Sequence, residues 1–184
     1  MLFLKSLKIF FPSILFFVNA ACQQKQAELL LNEKDYSENL RGMIDGYHTI
    51  TFRNKNNPDY TIKKIYTDSL FNDSSFIVTK YFFYKDLLNG PTETYSYGKL
   101  SSKGYYQMNN KHGEFVTYDP DGNVNKKEYY TEGKRSGIWL YYNSNHILHK
   151  KIYYDQDGEF IKKELFNQRT GKFERTEYTK NMFD

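Results

Sequence analysis

A pattern that recurs every 24 residues constrains the fold of this chain more than any other sequence feature. One unit runs from Gly113 to Gly137 and contains two short apolar and aromatic runs, Phe115–Tyr118 and Val124–Tyr130, separated by the turn sequence Asp119–Asn123. The matching positions 24 residues apart are Gly113, Tyr118, Val124, Lys126, Lys127, Tyr129 and Tyr130, which correspond to Gly137, Tyr142, Leu148, Lys150, Lys151, Tyr153 and Tyr154. A fixed period of this size is typical of stacked-repeat proteins.

Strand and turn signals alternate along the repeat region and predict an all-β fold. Each unit of about 12 residues supplies one strand and one turn, so two units form a hairpin of about 24 residues. We expect about ten strands in an antiparallel β-meander that forms an open, twisted sheet, with a closed barrel as the alternative. The 18 Tyr and 15 Phe residues suit such half-buried pleated surfaces.

Weaker copies of the pattern flank the regular repeats. Before them, the predicted strands are Tyr47–Phe52, Thr61–Tyr66 and Phe76–Tyr84, and a closing strand is predicted at Gly171–Tyr178. The polar stretch that precedes these strands has no strand pattern and is interpreted as a tether. The sequence therefore predicts three parts: a signal peptide at residues 1–21, a polar tether at 22–41 and a β-repeat domain at 42–184.

The N-terminal segment has the pattern of an export signal. Lys5 and Lys8 precede an apolar run from Ile9 to Val18, which is too short to span a bilayer as a helix. A buried N-terminal helix is the alternative, although the polar residues after it offer no packing partner. Val18–Cys22 (VNAAC) resembles the lipobox of bacterial lipoproteins, and the resemblance implies that Cys22 is lipidated after cleavage. Cleavage by an ordinary signal peptidase remains the alternative, because Asn19 stands where the lipobox usually has an aliphatic residue.

The repeat itself resembles the bacterial MORN-like repeat of the YwqK-type antitoxin-like family. The matching segments are Gly113–Tyr118 (GEFVTY) and Gly137–Tyr142 (GIWLYY), joined by the polar loop Gly133–Gly137 (GKRSG), and Gly90–Tyr95 is a weaker copy. Together with the leader, this resemblance implies a membrane-anchored lipoprotein of the cell envelope, at the outer membrane or cell surface. The expected role is a non-catalytic scaffold that binds a protein partner, and the alternative is an antitoxin or immunity protein that inhibits a toxin.

Catalytic and metal-binding patterns are weak. With one cysteine the chain cannot form an intramolecular disulfide. Asp119–Gly122 and Asp155–Gly158 share the D-x-D-G pattern of calcium loops but lack the later glycine and glutamate, so they are predicted to be hairpin turns. His146 and His149 have no third ligand at a spacing that suits zinc. We therefore expect no metal, no cofactor and no catalytic residue, with a degenerate hydrolase as a third possibility.

Candidate functional residues come from the repeats. We expect Gly90, Gly113 and Gly137 to be structural repeat glycines that leave a loop with positive φ. Trp139, the only tryptophan, is expected to pack between hairpins, with a surface binding anchor as the alternative. The tyrosine series Tyr105, Tyr129 and Tyr153 is expected to form cross-strand pairs, with a platform on which a ligand stacks as the alternative.

Lysine doublets recur in register with the repeats. Because the two members of a doublet point to opposite faces of a strand, Lys127 and Lys151 should lie in one row and form a possible binding surface for anions. A solvated, edge-protecting charge set is the alternative. Nucleic acid is not an expected partner. Without Lys5 and Lys8 the chain has 24 basic residues (26 − 2) against 22 acidic residues, a net charge of only +2.

Overall fold

The computed structural model describes residues 32–67 and 77–176, which form one open antiparallel sheet. The strands follow one another across the sheet in chain order, so the topology is a meander. The first and last strands form its two edges, and the sheet does not close. The all-β open meander predicted from the repeats is therefore confirmed, and the closed-barrel alternative is wrong.

The sheet has 14 strands, and a short 3-10 turn at Glu33–Asp35 precedes it. In chain order they are β1 (Tyr36–Ile44), β2 (Tyr47–Asn54), β3 (Tyr60–Tyr66), β4 (Ile77–Tyr84), β5 (Leu87–Ser96), β6 (Lys99–Gln107), β7 (Asn110–Lys111), β8 (Gly113–Tyr118), β9 (Val124–Thr131), β10 (Lys134–Arg135), β11 (Gly137–Tyr142), β12 (Leu148–Tyr154), β13 (Phe160–Asn167) and β14 (Lys172–Thr176). Two of them, β7 and β10, are two residues long and pair with β6 and β9. The prediction of about ten strands was too low partly because these two lie in segments that have the composition of polar loops.

The first strand corrects the predicted tether. β1 begins at Tyr36, six residues before the boundary expected at Gly42. Tyr36 is buried, but the rest of β1 is exposed on both faces because it is an edge strand. An edge strand without a buried face has no alternating apolar pattern, so its polar sequence resembled a tether. Residues 22–31 lie outside the described residues.

The best-buried cluster lies in the N-terminal half of the sheet. Tyr36, Ile62 and Phe82 pack together, Ile62 is only 1% exposed, and Phe52 and Tyr60 pack against the cluster. The β-branched and aromatic side chains of the four neighbouring strands β1 to β4 thus supply the apolar burial that stabilises this end of the sheet. The regular repeats are at the other end.

Two kinds of turn connect the repeat strands. In the first kind, both central residues of a two-residue turn have positive φ, as at Glu132 (51°) and Gly133 (82°). Such turns match the twist of the strands that they join. In the second kind, an aspartate side chain closes the turn: Asp119 Oδ1 accepts hydrogen bonds from the backbone N–H groups of Asp121 (2.9 Å) and Asn123 (2.8 Å). This confirms the interpretation of the first D-x-D-G segment as a hairpin turn.

Candidate interaction surface

The register of the regular repeats defines two faces of the sheet. Residues that pair across neighbouring strands lie on the same face. Leu140 of β11 pairs with Lys127 of β9 on one side and with Lys151 of β12 on the other. The predicted row of Lys127 and Lys151 is therefore confirmed. We call this side the carboxylate face, because Glu114 and Glu164 also lie on it.

Glu114 is the centre of the first cluster on the carboxylate face. Its Oε2 atom accepts a hydrogen bond from the Tyr129 hydroxyl at 2.6 Å and lies 3.4 Å from Lys127 Nζ. The hydrogen bond from the Tyr129 hydroxyl is the largest cause that lowers the pKa of the Glu114 carboxyl; burial opposes it, and the charge and hydrogen bond of Lys127 lower the pKa further. The hydrogen bond to Glu114 is the largest cause that raises the pKa of Tyr129 to about 12. Lys127 is therefore already paired.

The next repeat builds a similar cluster around Glu164. The Tyr153 hydroxyl donates to Glu164 Oε2 at 2.7 Å, and Lys162 Nζ donates to Glu164 Oε1 at 2.6 Å. Lys151 Nζ lies 4.1 Å from the centroid of the Phe173 ring. Tyr129 and Tyr153 thus use their hydroxyl groups to bind carboxylates. The prediction that this series forms cross-strand aromatic pairs missed this role.

The opposite side carries a continuous series of rings, and we call it the aromatic face. Its successive ring pairs and centroid distances are Tyr106–Phe115 at 5.6 Å, Phe115–Tyr130 at 5.3 Å, Tyr130–Trp139 at 5.3 Å, Trp139–Tyr154 at 4.8 Å and Tyr154–Phe160 at 6.5 Å. Tilted and edge-to-face contacts at such distances stabilise beyond simple area burial. Six neighbouring strands, β6, β8, β9, β11, β12 and β13, contribute to this series, so it ties the repeats together.

Trp139 lies in the middle of this series. It is 7% exposed, and its Nε1 atom donates a hydrogen bond to the Tyr129 carbonyl at 3.0 Å. The expected packing between hairpins is therefore present. The alternative role as a surface binding anchor is wrong, because a ring this buried has little surface left for a partner.

Two glycine roles shape the aromatic face. Gly113 (φ 72°) and Gly137 (φ 63°) begin β8 and β11 with positive φ, as expected for glycines that leave a loop. Gly90 (φ 135°) also has positive φ, but it lies within β5 and not at the end of a loop. Gly104 has a different role that sequence reasoning missed. A Cβ atom at Gly104 would lie 2.2 Å from Cδ1 of Phe115, so glycine leaves the space that the ring occupies.

Cations lie over the rings of the aromatic face. Lys111 Nζ is 4.8 Å from the Phe115 centroid and 4.7 Å from the Tyr130 centroid. Twenty-four residues later, Arg135 lies 5.7 Å from Trp139 and 5.5 Å from Tyr154. These are cation–π distances. Sequence reasoning did not single out these cations, although their 24-residue offset was a signal that could have found them.

The other members of the lysine doublets lie on the aromatic face. Tyr141 pairs with Lys126 of β9 and with Lys150 of β12. Lys150 Nζ lies 3.7 Å from the Tyr141 centroid, and Lys126 Nζ is 3.0 Å from Glu128 Oε1. Burial lowers the pKa of Lys150, and repulsion from Lys163 and Lys126 lowers it further. Lysines thus crowd one another on this face.

The candidate metal residues are used in other ways. Asp155 Oδ1 accepts from the backbone N–H of Asp157 and of Glu159, both at 2.9 Å, as in the other D-x-D-G turn. His146 Nδ1 lies 3.4 Å from Asp119 Oδ2 of a neighbouring turn. Within residues 32–67 and 77–176, no three histidine, cysteine or acidic side chains come together as a metal site would require.

The leader and Cys22 lie outside the described residues. Among the residues that are described, no helix has the length and apolarity to cross a bilayer. The lipid anchor therefore rests on the sequence pattern.

No model of a known protein family matches the chain, and neither does any curated protein. The chain is weakly similar to solved glycosyltransferase structures, among them a GtfA/B complex bound to UDP and GlcNAc, with 17% identity and a TM-score of 0.31 over 42% of this chain and 18% of that chain. S. aureus TarM with fondaparinux, alpha-GlcNAc-glycerol and UDP is 15% identical, with a TM-score of 0.29 over 84% of this chain and 24% of that chain. The pneumococcal O-GlcNAc transferase GtfA with UDP and GlcNAc is 16% identical, with a TM-score of 0.19 over 72% of this chain and 18% of that chain. The match spans only 18% to 24% of the length of those proteins. Similarity at these scores supports no conclusion about this chain.

Proposed function

We propose that this protein is a lipid-anchored, non-catalytic scaffold of the cell envelope that binds an extended partner through its repeated β-sheet. One observation carries the proposal. The unit of a cation over two rings occurs with Lys111, Phe115 and Tyr130 and again 24 residues later with Arg135, Trp139 and Tyr154. Similar units side by side suit a partner that extends across several repeats better than they suit one small substrate.

The resemblance to MORN-like repeats supports the same role. Such repeats are scaffolds, and a scaffold requires a stable fold but no catalytic groups. The tyrosine–glutamate and aromatic contacts, which hold neighbouring strands together, agree with this requirement. The carboxylate groups of Glu114 and Glu164 are each engaged with a tyrosine hydroxyl and a lysine. These side chains stabilise the sheet in this proposal and take no part in a reaction.

Site-specific cross-linking in cells tests the scaffold role. A photo-crosslinking phenylalanine analogue is placed at Tyr141 on the aromatic face or at its neighbour Leu140 on the carboxylate face, both of which are half-buried in β11. We expect one envelope component to be cross-linked from Tyr141 in preference to Leu140. Adducts with a toxic protein that the chain silences would instead establish the antitoxin alternative, and a lack of adducts at both positions would contradict the scaffold.

Fractionation tests the anchor separately. The Cys22→Ser variant cannot be acylated at this position, so we expect it to move from the membrane pellet to the soluble fraction. Metabolic labelling with a fatty acid provides the second measurement, and the label should be present only in the wild type. If the variant still sediments with membranes and the wild type takes up no label, the lipid anchor is wrong.

A further inference from the structure

The two faces of strands β8 to β13 differ in charge balance. On the carboxylate face, the basic residues of these strands are Lys127, Lys134, Lys151 and Lys162, and the acidic residues are Glu114 and Glu164. On the aromatic face, the basic residues are Lys126, Lys150 and Lys163, with Lys111 and Arg135 added by the short strands over the rings. Glu128 is the one acidic residue of these described strands on the aromatic face. Five cations against one carboxylate leave this face positively charged.

The positive charge of the aromatic face is concentrated around Tyr141. Lys126 and Lys150 flank this residue on neighbouring strands, and Lys163 lies on the next strand, close enough to repel Lys150. Glu128, which pairs with Lys126 at 3.0 Å, offsets part of this charge. Crowded cations in a half-buried site raise the free energy of the protein alone. A bound anion would relieve this repulsion, so the site favours a negatively charged ligand.

The cations recur at a defined distance. Lys126 and Lys150 are separated by two strand spacings, and Lys111 and Arg135 by one 24-residue repeat. Two strand spacings amount to about 10 Å. Two sugar rings joined in a chain span a comparable length. A nucleic-acid strand carries a charge about every 3.4 Å and is much more densely charged than this row of cations.

We propose that the aromatic face binds a linear acidic polysaccharide that carries one carboxylate on every second sugar. Lys126 and Lys150 bind successive carboxylates, and the ring of Tyr141 between them packs against the intervening sugar. The inference names the partner of the proposed scaffold and rests on that function. It requires no bond to form or break.

A binding assay with the full-length chain tests the inference. Hyaluronate, an alternating polymer with one carboxylate per disaccharide, is the probe, and neutral dextran and polyphosphate are the comparison polymers. Trp139 supplies the signal, because it is the only tryptophan of the chain and lies under Arg135 on the aromatic face. Its fluorescence therefore reports on this face even if the N-terminal leader interacts with the polymer.

The doublets provide a matched pair of variants. Lys126→Gln with Lys150→Gln removes two charges from the aromatic face, and Lys127→Gln with Lys151→Gln removes the same charge from adjacent positions on the opposite face. We expect the first variant to bind hyaluronate about tenfold more weakly and the second to stay within about twofold of wild type, with binding that weakens as salt rises. Melting curves establish that both variants are folded.

Three results would overturn the inference: no binding of hyaluronate by wild type, equal losses in the two variants, or binding of polyphosphate in clear preference to hyaluronate. The cross-linking experiment separates these failures from failure of the scaffold. If hyaluronate does not bind but a partner is still cross-linked from Tyr141, the ligand class is wrong and the scaffold stands. If neither occurs, both proposals are wrong.

Discussion

The two faces of the regular repeats are built from the same strands but are stabilised by different chemistry. Lys127 and Lys126 are neighbours in β9, yet Lys127 meets Glu114 of the neighbouring strand, whereas Lys126 meets Glu128 of its own strand and lies in a row with Tyr141 and Lys150. Alternation along a strand sends each doublet to both faces. The carboxylates on each face then decide how much of the lysine charge is neutralised. The comparison teaches that one sequence motif can stabilise one face and leave the other available to a ligand.

Neighbouring tyrosines show the same contrast. Tyr129 and Tyr130 both have a pKa raised to about 12, but for different reasons. The hydrogen bond to Glu114 is the main cause at Tyr129, and burial is the main cause at Tyr130. A polar contact thus dominates the surroundings of Tyr129 on the carboxylate face, and burial dominates those of Tyr130 on the aromatic face.

The largest loss of stability is expected from a substitution at the centre of the aromatic face. Trp139→Ala should destabilise the protein by about 3–5 kcal/mol, because it removes two ring contacts and leaves a cavity. Leu140→Ala is the matched control, since Leu140 is adjacent but only half-buried on the carboxylate face, and its cost should be clearly smaller. Chemical denaturation measures both. Equal losses would show that the two faces do not differ in their dependence on burial.

The next largest loss of stability is expected from filling the space below the Phe115 ring. Gly104→Ala should destabilise by about 1–3 kcal/mol, because the new methyl group would overlap the ring. Gly42→Ala provides the control, since its nearest neighbour, Thr49 Oγ1, is 3.4 Å away in the edge hairpin. That substitution should be nearly neutral. Thermal unfolding compares the two, and an unchanged melting temperature for Gly104→Ala would mean that Phe115 can leave this position without cost.

Trp139 and Gly104 show what the sequence could and could not predict. The 24-residue period predicted the hairpins, the positive φ of Gly113 and Gly137, and the packing of Trp139, because each depends on local alternation and turn geometry. The role of Gly104 depends on which residue lies opposite on the neighbouring strand. That is a matter of register, and the period alone does not determine it.

The candidate surface was predicted only in part for the same reason. Strand alternation correctly placed Lys127 and Lys151 on one face. How much of the lysine charge is neutralised depends on the carboxylates that the register brings to each face, such as Glu114 beside Lys127 and Glu128 beside Lys126. The face with the larger excess of cations was therefore not the one that the sequence interpretation chose.

A smaller change in stability, which comes from the ionisation of Tyr129, is expected at high pH. The folded-state pKa of Tyr129 lies above 10.0, so its contribution to stability is complete below pH 10 and is lost as the pH rises toward about 12. Glu114→Gln removes the negative charge and should return the pKa of Tyr129 toward 10.0. Tyr130, which is raised mainly by burial, should stay near 12. NMR titration of labelled tyrosines measures both, and parallel shifts at the two residues would contradict the assigned causes.

The smallest effects come from single lysines, and here the two faces should differ in sign. Lys127→Met loses the partly exposed contact with Glu114 and should cost about 0.2–1 kcal/mol. Lys150→Met keeps the length of the side chain but removes a charge that burial, Lys163 and Lys126 all disfavour. Loss of the contact with the Tyr141 ring opposes this gain, so the net change should be close to zero or stabilising. Denaturation at pH 7 and low salt resolves the two values best, because salt screens both effects. If Lys150→Met destabilises the protein more than Lys127→Met does, the lysines of the aromatic face are compensated within the sheet and the electrostatic reason for an anionic ligand disappears.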